Sequence, residues 1–154
     1  MFVVLLAALA FAPFTAIELL EYRNNMEENK TFACAINCMD GRVQDAVKNY
    51  IIANYHVNYV DMITEAGADK LLADNSNIPI MENVMKRVEI SFHHHGSKIL
   101  AIACHFGCAG NPVSKEEHVV HLRQAKKNME AAGFNGTVVL LWVAEDFKTV
   151  EKID

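Results

Sequence analysis

Strand-like apolar runs alternate with stretches of helical length from Thr31 to the end of this chain, and that alternation most constrains how it can fold. Thr31–Asn37 is nearly continuously apolar, as a strand buried on both faces of a parallel sheet must be. Val43, Ala46, Val47, Tyr50 and Ala53 follow at helical spacing and predict a helix over about 43–55. A second strand is expected over Tyr59–Ile63. Met81, Val84, Met85, Val88 and Phe92 then form an apolar stripe on one helix face. Pro79 stands near the start of that helix and Gly96 just beyond its end, the usual asymmetry of helix termini. Lys98–Cys104 reads as the third strand. Ser114-Lys-Glu-Glu117 is a capping box that opens a helix running to about Ala132 and stopped by Gly133. Thr137–Val143 is the fourth strand, and Thr149–Ile153 reads as a short antiparallel return. The expected fold is α/β: an open, mainly parallel sheet of four strands flanked by helices, with right-handed crossovers and an antiparallel C-terminal strand.

No linker, repeat or low-complexity run divides residues 31–154, and residues 26–154 are read as one domain large enough for a sizeable core. A net charge of −5 gives no basic surface for nucleic acid. Four cysteines in a chain of 154 residues are too sparse for a disulfide framework and suit a reducing compartment, so a cytoplasmic location is expected for the domain. Residues 1–25 are a separate, apolar segment. From Met1 to Ile17 only Pro13 and Thr15 interrupt it, and Glu18 is the first charge. Four readings stand: a short membrane anchor, a signal peptide cleaved near Ala8-Leu9-Ala10, a misassigned start with translation from Met26, or a helix packed on a partner. Membrane contact is expected only through residues 1–20, and an anchored or exported protein only if that segment is a targeting signal.

Two short motifs carry chemistry. Cys38-Met-Asp-Gly-Arg42 follows the first strand, and His105-Phe-Gly-Cys108 follows the third. Cys38, His105 and Cys108 together offer three ligands to zinc, leaving a fourth position for water or substrate, as catalytic zinc sites do. Asp40 and Arg42 supply a carboxylate and a guanidinium able to pair, for which a purely structural zinc site has no use. Ligands of open α/β sheets bind beyond the carboxyl ends of strands, where strand order reverses. If the first and third strands are neighbours, the three side chains converge there.

These two motifs resemble the signatures of the β-class carbonic anhydrases, Cys-x-Asp-x-Arg and His-x-x-Cys. The resemblance covers roughly Thr31–Ile153, and the chain is similar to a small, divergent member. It implies zinc held by Cys38, His105 and Cys108, and reversible hydration of CO2 to bicarbonate by zinc-bound hydroxide. It further implies that Arg42 holds Asp40 off the metal while Asp40 accepts a hydrogen bond from that hydroxide. A homodimer or tetramer is expected by the same analogy. Some positions depart from the family. Glu65 replaces the asparagine of an Asn-Ala-Gly turn, Cys104 stands where a glycine usually precedes the metal histidine, and residues 1–30 offer no counterpart of the N-terminal helices that wrap a partner. Hydrolysis of carbonyl sulfide or carbon disulfide on the same metal frame, and a non-catalytic zinc-binding protein, are the alternatives.

Other chemistry-bearing residues are read as structural. His93, His94 and His95 lie in the last turn of a helix, where successive side chains diverge by about 100° and cannot share a metal. His118 and His121 are placed on an exposed helix face for want of a third ligand nearby in sequence. Cys34 and Cys104 are read as small core residues.

Overall fold

The computed structural model describes residues 15–21, 30–74 and 76–154. The chain forms two compact units, Met1–Lys30 and Thr31–Asp154. In the first, residues 16–21 are helical. Glu18 N–H donates to Thr15 Oγ1 at 3.2 Å while the Glu18 carboxylate accepts from Thr15 N at 2.7 Å, a capping box. Most of residues 1–25, and so the four readings of that segment, lie outside the described residues. Among those described, no helix is long and apolar enough to cross a membrane.

The second unit holds a five-stranded sheet in the order β2-β1-β3-β4-β5. Its strands are β1 (Phe32–Cys38), β2 (Tyr59–Glu65), β3 (Ile99–His105), β4 (Thr137–Val143) and β5 (Val150–Ile153). The first four are parallel, and β5 runs antiparallel to β4 with Leu140 opposite Ile153. The helices are α1 (Gln44–Tyr55), α2 (Ala68–Asp74), α3 (Ile78–His93) and α4 (Lys115–Ala131). The expected α/β architecture is therefore observed, with two adjustments. Cys38 and His105 are the last residues of their strands rather than the first beyond them. The seven-residue α2 is an element the sequence pattern did not reveal.

Helix ends follow local chemistry. Asn77 caps α3 by accepting the Ile80 N–H, and Pro79 occupies its first turn, where no partner is needed for the missing N–H. Ser114 caps α4 through Glu117 N–H at 3.2 Å, and Gly133 follows its C-terminus with φ of +94°. Asn128, on α4, donates to the Leu72 and Ala73 carbonyls at 2.8 Å each and so ties down the C-terminus of α2.

Alternate residues of the central strands enter two cores. Cys34, Ile36, Leu100, Ile102 and Leu140 pack under α2, α3 and α4, against Leu72, Val84, Val88, Leu122 and Met129. Ala33, Ala35, Ala101 and Ala103 face the other way, under Val47 and Ile51 of α1. Bulky residues thus meet three helices, and small ones let the single helix lie close. Each buried Leu or Ile contributes about 1.5–3 kcal/mol through removal from water. Because β2 and β3 flank β1 on opposite sides, strand order reverses between β1 and β3. That is the crevice where open α/β sheets take ligands, and both motifs end there.

Candidate metal centre

Cys38 closes β1 and is held from three directions. Its carbonyl accepts from Asn37 Nδ2 at 2.9 Å and from Gln44 Nε2 at 2.8 Å, and the next residue, Met39, donates its N–H to the Glu65 carbonyl at 3.1 Å. Gln44, the first residue of α1, also donates to the Asp40 carbonyl at 2.8 Å and accepts from Asn37 Nδ2 at 3.0 Å. Asn37 and Gln44 thus fix the backbone of the Cys38 loop, a role the motif analysis missed. The available signal was Asn37 itself, a polar side chain ending an otherwise apolar run; it is fully buried.

The Asp40–Arg42 pair expected from the sequence is formed. Asp40 accepts from Arg42 Nε at 3.0 Å, from Nη2 at 2.6 Å and from the Arg42 backbone N–H at 3.0 Å. These bonds, the side-chain ones foremost, hold the Asp40 carboxyl well below the usual carboxylate range. The guanidinium in turn lies 4.1 Å from the ring centroid of Phe147, a cation–π contact from the β4–β5 turn.

His105 closes β3 and is 1% exposed. Its Nδ1 lies 2.9 Å from the Phe106 carbonyl oxygen, which can only accept, so Nδ1 carries the hydrogen. Nε2 then bears a lone pair, and it is buried without a hydrogen-bond partner. Gly107, at φ of +63°, turns the chain so that Cys108 comes back toward Cys38. The two sulfurs are 3.7 Å apart, and both thiols are free. Two sulfurs about 2.3 Å from one tetrahedral zinc would stand roughly 3.8 Å apart. Ligand atoms of Cys38, His105 and Cys108 all lie within 4.8 Å of one another, and all three residues are buried. The donor set, the sulfur spacing and the orphaned Nε2 fit a thiophilic divalent metal. The loop bearing Cys108 is braced against the turn after β2, where the backbones of Gly110 and Gly67 touch: a Cβ on either would lie within 2.6 Å of the other's main chain.

Comparison with known proteins gives the kinship. The model of one protein family, described as "Putative carbonic anhydrase", matches residues 28–154. The chain belongs to this carbonic anhydrase family. Among solved structures, the carbonic anhydrase of Streptococcus mutans is 11% identical over 93% of this chain and 100% of its own, with a TM-score of 0.50. The β-carbonic anhydrase isoform I of Trichomonas vaginalis is 16% identical, covering 91% of this chain and 98% of its own, at a TM-score of 0.47. A structure reported among two tetrameric β-carbonic anhydrases of Sordaria macrospora is 12% identical, covering 90% and 88%, at 0.47. No curated protein matches the sequence. At 11% identity and a TM-score of 0.50, the Streptococcus mutans structure speaks for the fold alone.

Histidines outside the motifs divide. His95 leaves the end of α3 to pair its Nδ1 with Asp61 Oδ2 at 2.8 Å, while His93 and His94 are exposed. His118 corrects the expectation of an exposed face. It is fully buried, its Nδ1 2.6 Å from Asp69 Oδ2, and His121 is only 26% exposed, 3.8 Å from the same oxygen. The partner that the local sequence did not supply comes from α2. Cys34 and Cys104 are core residues as expected, and burial pushes the Cys34 thiol up to about 12.

Proposed function

We propose that this carbonic anhydrase family member reversibly hydrates CO2 to bicarbonate with zinc held by Cys38 Sγ, His105 Nε2 and Cys108 Sγ. The observation that carries the reading is a buried, unpartnered imidazole nitrogen beside two free thiols 3.7 Å apart, in a crevice bordered by an ionised carboxylate. A zinc ion so bound would supply a coordinated water with its pKa lowered toward neutrality from about 16 in bulk, the nucleophile that hydration needs.

The chain's own residues do the rest. The Phe106 carbonyl fixes the His105 tautomer and ring orientation, the outer-shell function that metal-bound histidines require. Arg42 engages both oxygens of Asp40, which keeps the carboxylate from swinging into the cysteine–histidine group. Asp40 has lone pairs left to accept a hydrogen bond from an incoming O–H and so orient it. It is not the proton's destination near neutrality, because Arg42 holds its carboxyl well below the usual range. The proton leaves through another group or through buffer. The protein is further proposed to act as a homodimer or tetramer, since Met39 and Phe106, next to the site residues, are 65% and 45% exposed; sedimentation checks this.

The test is zinc analysis of the purified full chain followed by stopped-flow CO2 hydration. Turnover that disappears on chelation and returns with zinc supports the reading, as does loss of zinc from Cys38→Ser. Zinc-replete protein that is inactive on CO2 but cleaves carbonyl sulfide or carbon disulfide would transfer the assignment to a sulfur-analogue hydrolase. Full zinc with neither activity would leave a non-catalytic zinc protein, and Cys38→Ser with undiminished zinc would refute the ligand set.

A further inference from the structure

Under α4, on the opposite side of β3 from His105, lies a second convergence of metal-binding donors. Asp69 of α2, Cys104 of β3 and His118 of α4 place one donor atom each within 4.8 Å of the others. They are 1%, 3% and 0% exposed. None belongs to the Cys38, His105 and Cys108 group, although Cys104 is the immediate neighbour of His105. We propose that Asp69, Cys104 and His118 form a second site for a transition-metal cation of the zinc or cobalt type.

Chemistry distinguishes this cluster from an ordinary buried ion pair. Asp69 Oδ2 accepts from His118 Nδ1 at 2.6 Å and from Asn111 Nδ2 at 2.8 Å. A cation entering between the two would take the place of the hydrogen on Nδ1, which would pass to His118 Nε2, a nitrogen buried with no hydrogen-bond partner. Cys104 is scarcely better used, its thiol reaching the Leu141 carbonyl only at 3.7 Å.

A fourth donor is within reach. His121 Nδ1 lies 3.8 Å from Asp69 Oδ2 and 3.0 Å from Asn111 Nδ2. That amide is a donor, so Nδ1 of His121 presents a lone pair toward the cluster. An oxygen, a sulfur and one or two imidazoles suit tetrahedral Zn2+ or Co2+, and exclude Ca2+ and Mg2+, which take all-oxygen shells. Binding would discharge the Cys104 thiol proton to solvent, as cysteine ligation does. His121, part-exposed at the edge of the cluster, marks the entry side.

The cluster also touches the second motif. Asn111, whose amide sits against Asp69, His118 and His121, donates its backbone N–H to the Cys108 carbonyl at 3.3 Å. A cation drawing Asp69 and the histidines together would act on Asn111 and thus on the Cys108 loop.

The experiment is Co2+ titration of the untagged, metal-stripped full chain, followed by absorption spectroscopy and elemental analysis. It is repeated on Cys104→Ala, on Asp69→Asn and on the double variant Cys38→Ser/Cys108→Ser, each checked for fold by circular dichroism. The expected result is about two Co2+ per chain in the unaltered protein and about one in every variant. The ion left in the double variant should show weaker sulfur-to-cobalt charge transfer, from one thiolate instead of two. No cobalt bound by the double variant, together with an unchanged count in Cys104→Ala, would show a structural hydrogen-bond network only and overturn the proposal. The two sites fail separately. One ion in the unaltered protein that survives the double substitution but not Cys104→Ala would uphold this site and refute the Cys38, His105 and Cys108 reading.

Discussion

The contact between Gly67 and Gly110 makes a graded prediction about what holds the Cys108 loop against the turn that follows β2. In Gly67→Ala the new methyl carbon would start 2.6 Å from both C and O of Gly110 and 3.1 Å from Asn111 N. Those are main-chain atoms, so no side chain can rotate out of the way. Gly67 also has φ of +60°, where an L-residue costs about 1–2 kcal/mol. Forcing a methyl group into a packed backbone contact adds roughly 1–3 kcal/mol. The sum is about 2–5 kcal/mol, a large part of the roughly 5–15 kcal/mol that holds a domain folded. Two other glycines separate the contributions. Gly107 has φ of +63° but open space around it, so Gly107→Ala should lose only the conformational part, about 1–2 kcal/mol. Gly41 has neither a positive φ nor any atom within 4 Å, so Gly41→Ala should be neutral or stabilising by up to about 1 kcal/mol. Urea unfolding of the three variants measures the series directly. Gly67→Ala and Gly110→Ala combined should cost less than their sum, because the first substitution already opens the contact. A loss for Gly67→Ala no greater than that for Gly107→Ala would refute the close-approach argument.

Three more perturbations read out other parts of the molecule. Asp40→Asn should retain stoichiometric metal yet lose most CO2 turnover, measured by elemental analysis and stopped-flow; equal turnover would remove the carboxylate from the reaction. Asp146, which accepts the Lys148 and Thr149 backbone N–H groups in the β4–β5 turn, has its carboxyl lowered to about 2 by the Thr149 bond first and the Lys148 bond next. A depressed carboxyl stabilises the fold above its unfolded value, near 3.9, and loses that contribution as pH falls toward about 2. Asp146→Asn should therefore be less stable than the unaltered protein at pH 6, with the gap closing in acid; a gap independent of pH would contradict the assignment. Cys34, its thiol raised to about 12 by burial, should resist iodoacetamide in the native protein at pH 8 and react once denatured, as mass spectrometry would show.

Strands β1 to β4 were legible because burial on both faces leaves a local mark, an apolar run between turns. Helix α3 was legible from its stripe and α4 from its capping box. Helix α2 left no such mark. Seven residues, Ala-Asp-Lys-Leu-Leu-Ala-Asp, complete barely two turns, too few for a period to be counted, and its C-terminus depends on Asn128 more than fifty residues away. The misplacement of His118 and His121 follows from that omission. Their burial is decided by Asp69, which sits on α2, 49 residues from His118. The two cysteine-bearing motifs, by contrast, were readable because each is contiguous and placed at a strand end. What brings them together, the pairing of β1 with β3, is a tertiary fact that the alternation of elements only permitted.

Arg42 is gripped from two sides, by the Asp40 carboxylate and by the ring of Phe147. Phe147 itself is set by the turn that launches β5, where its own φ is +53°. The last stretch of the polypeptide is thereby wired to the first motif. A substitution in that closing hairpin, remote in sequence and touching none of the three cysteine and histidine residues, would register as a lesion of the Asp40–Arg42 pair. Damage to the tail of this chain would be diagnosed at its head.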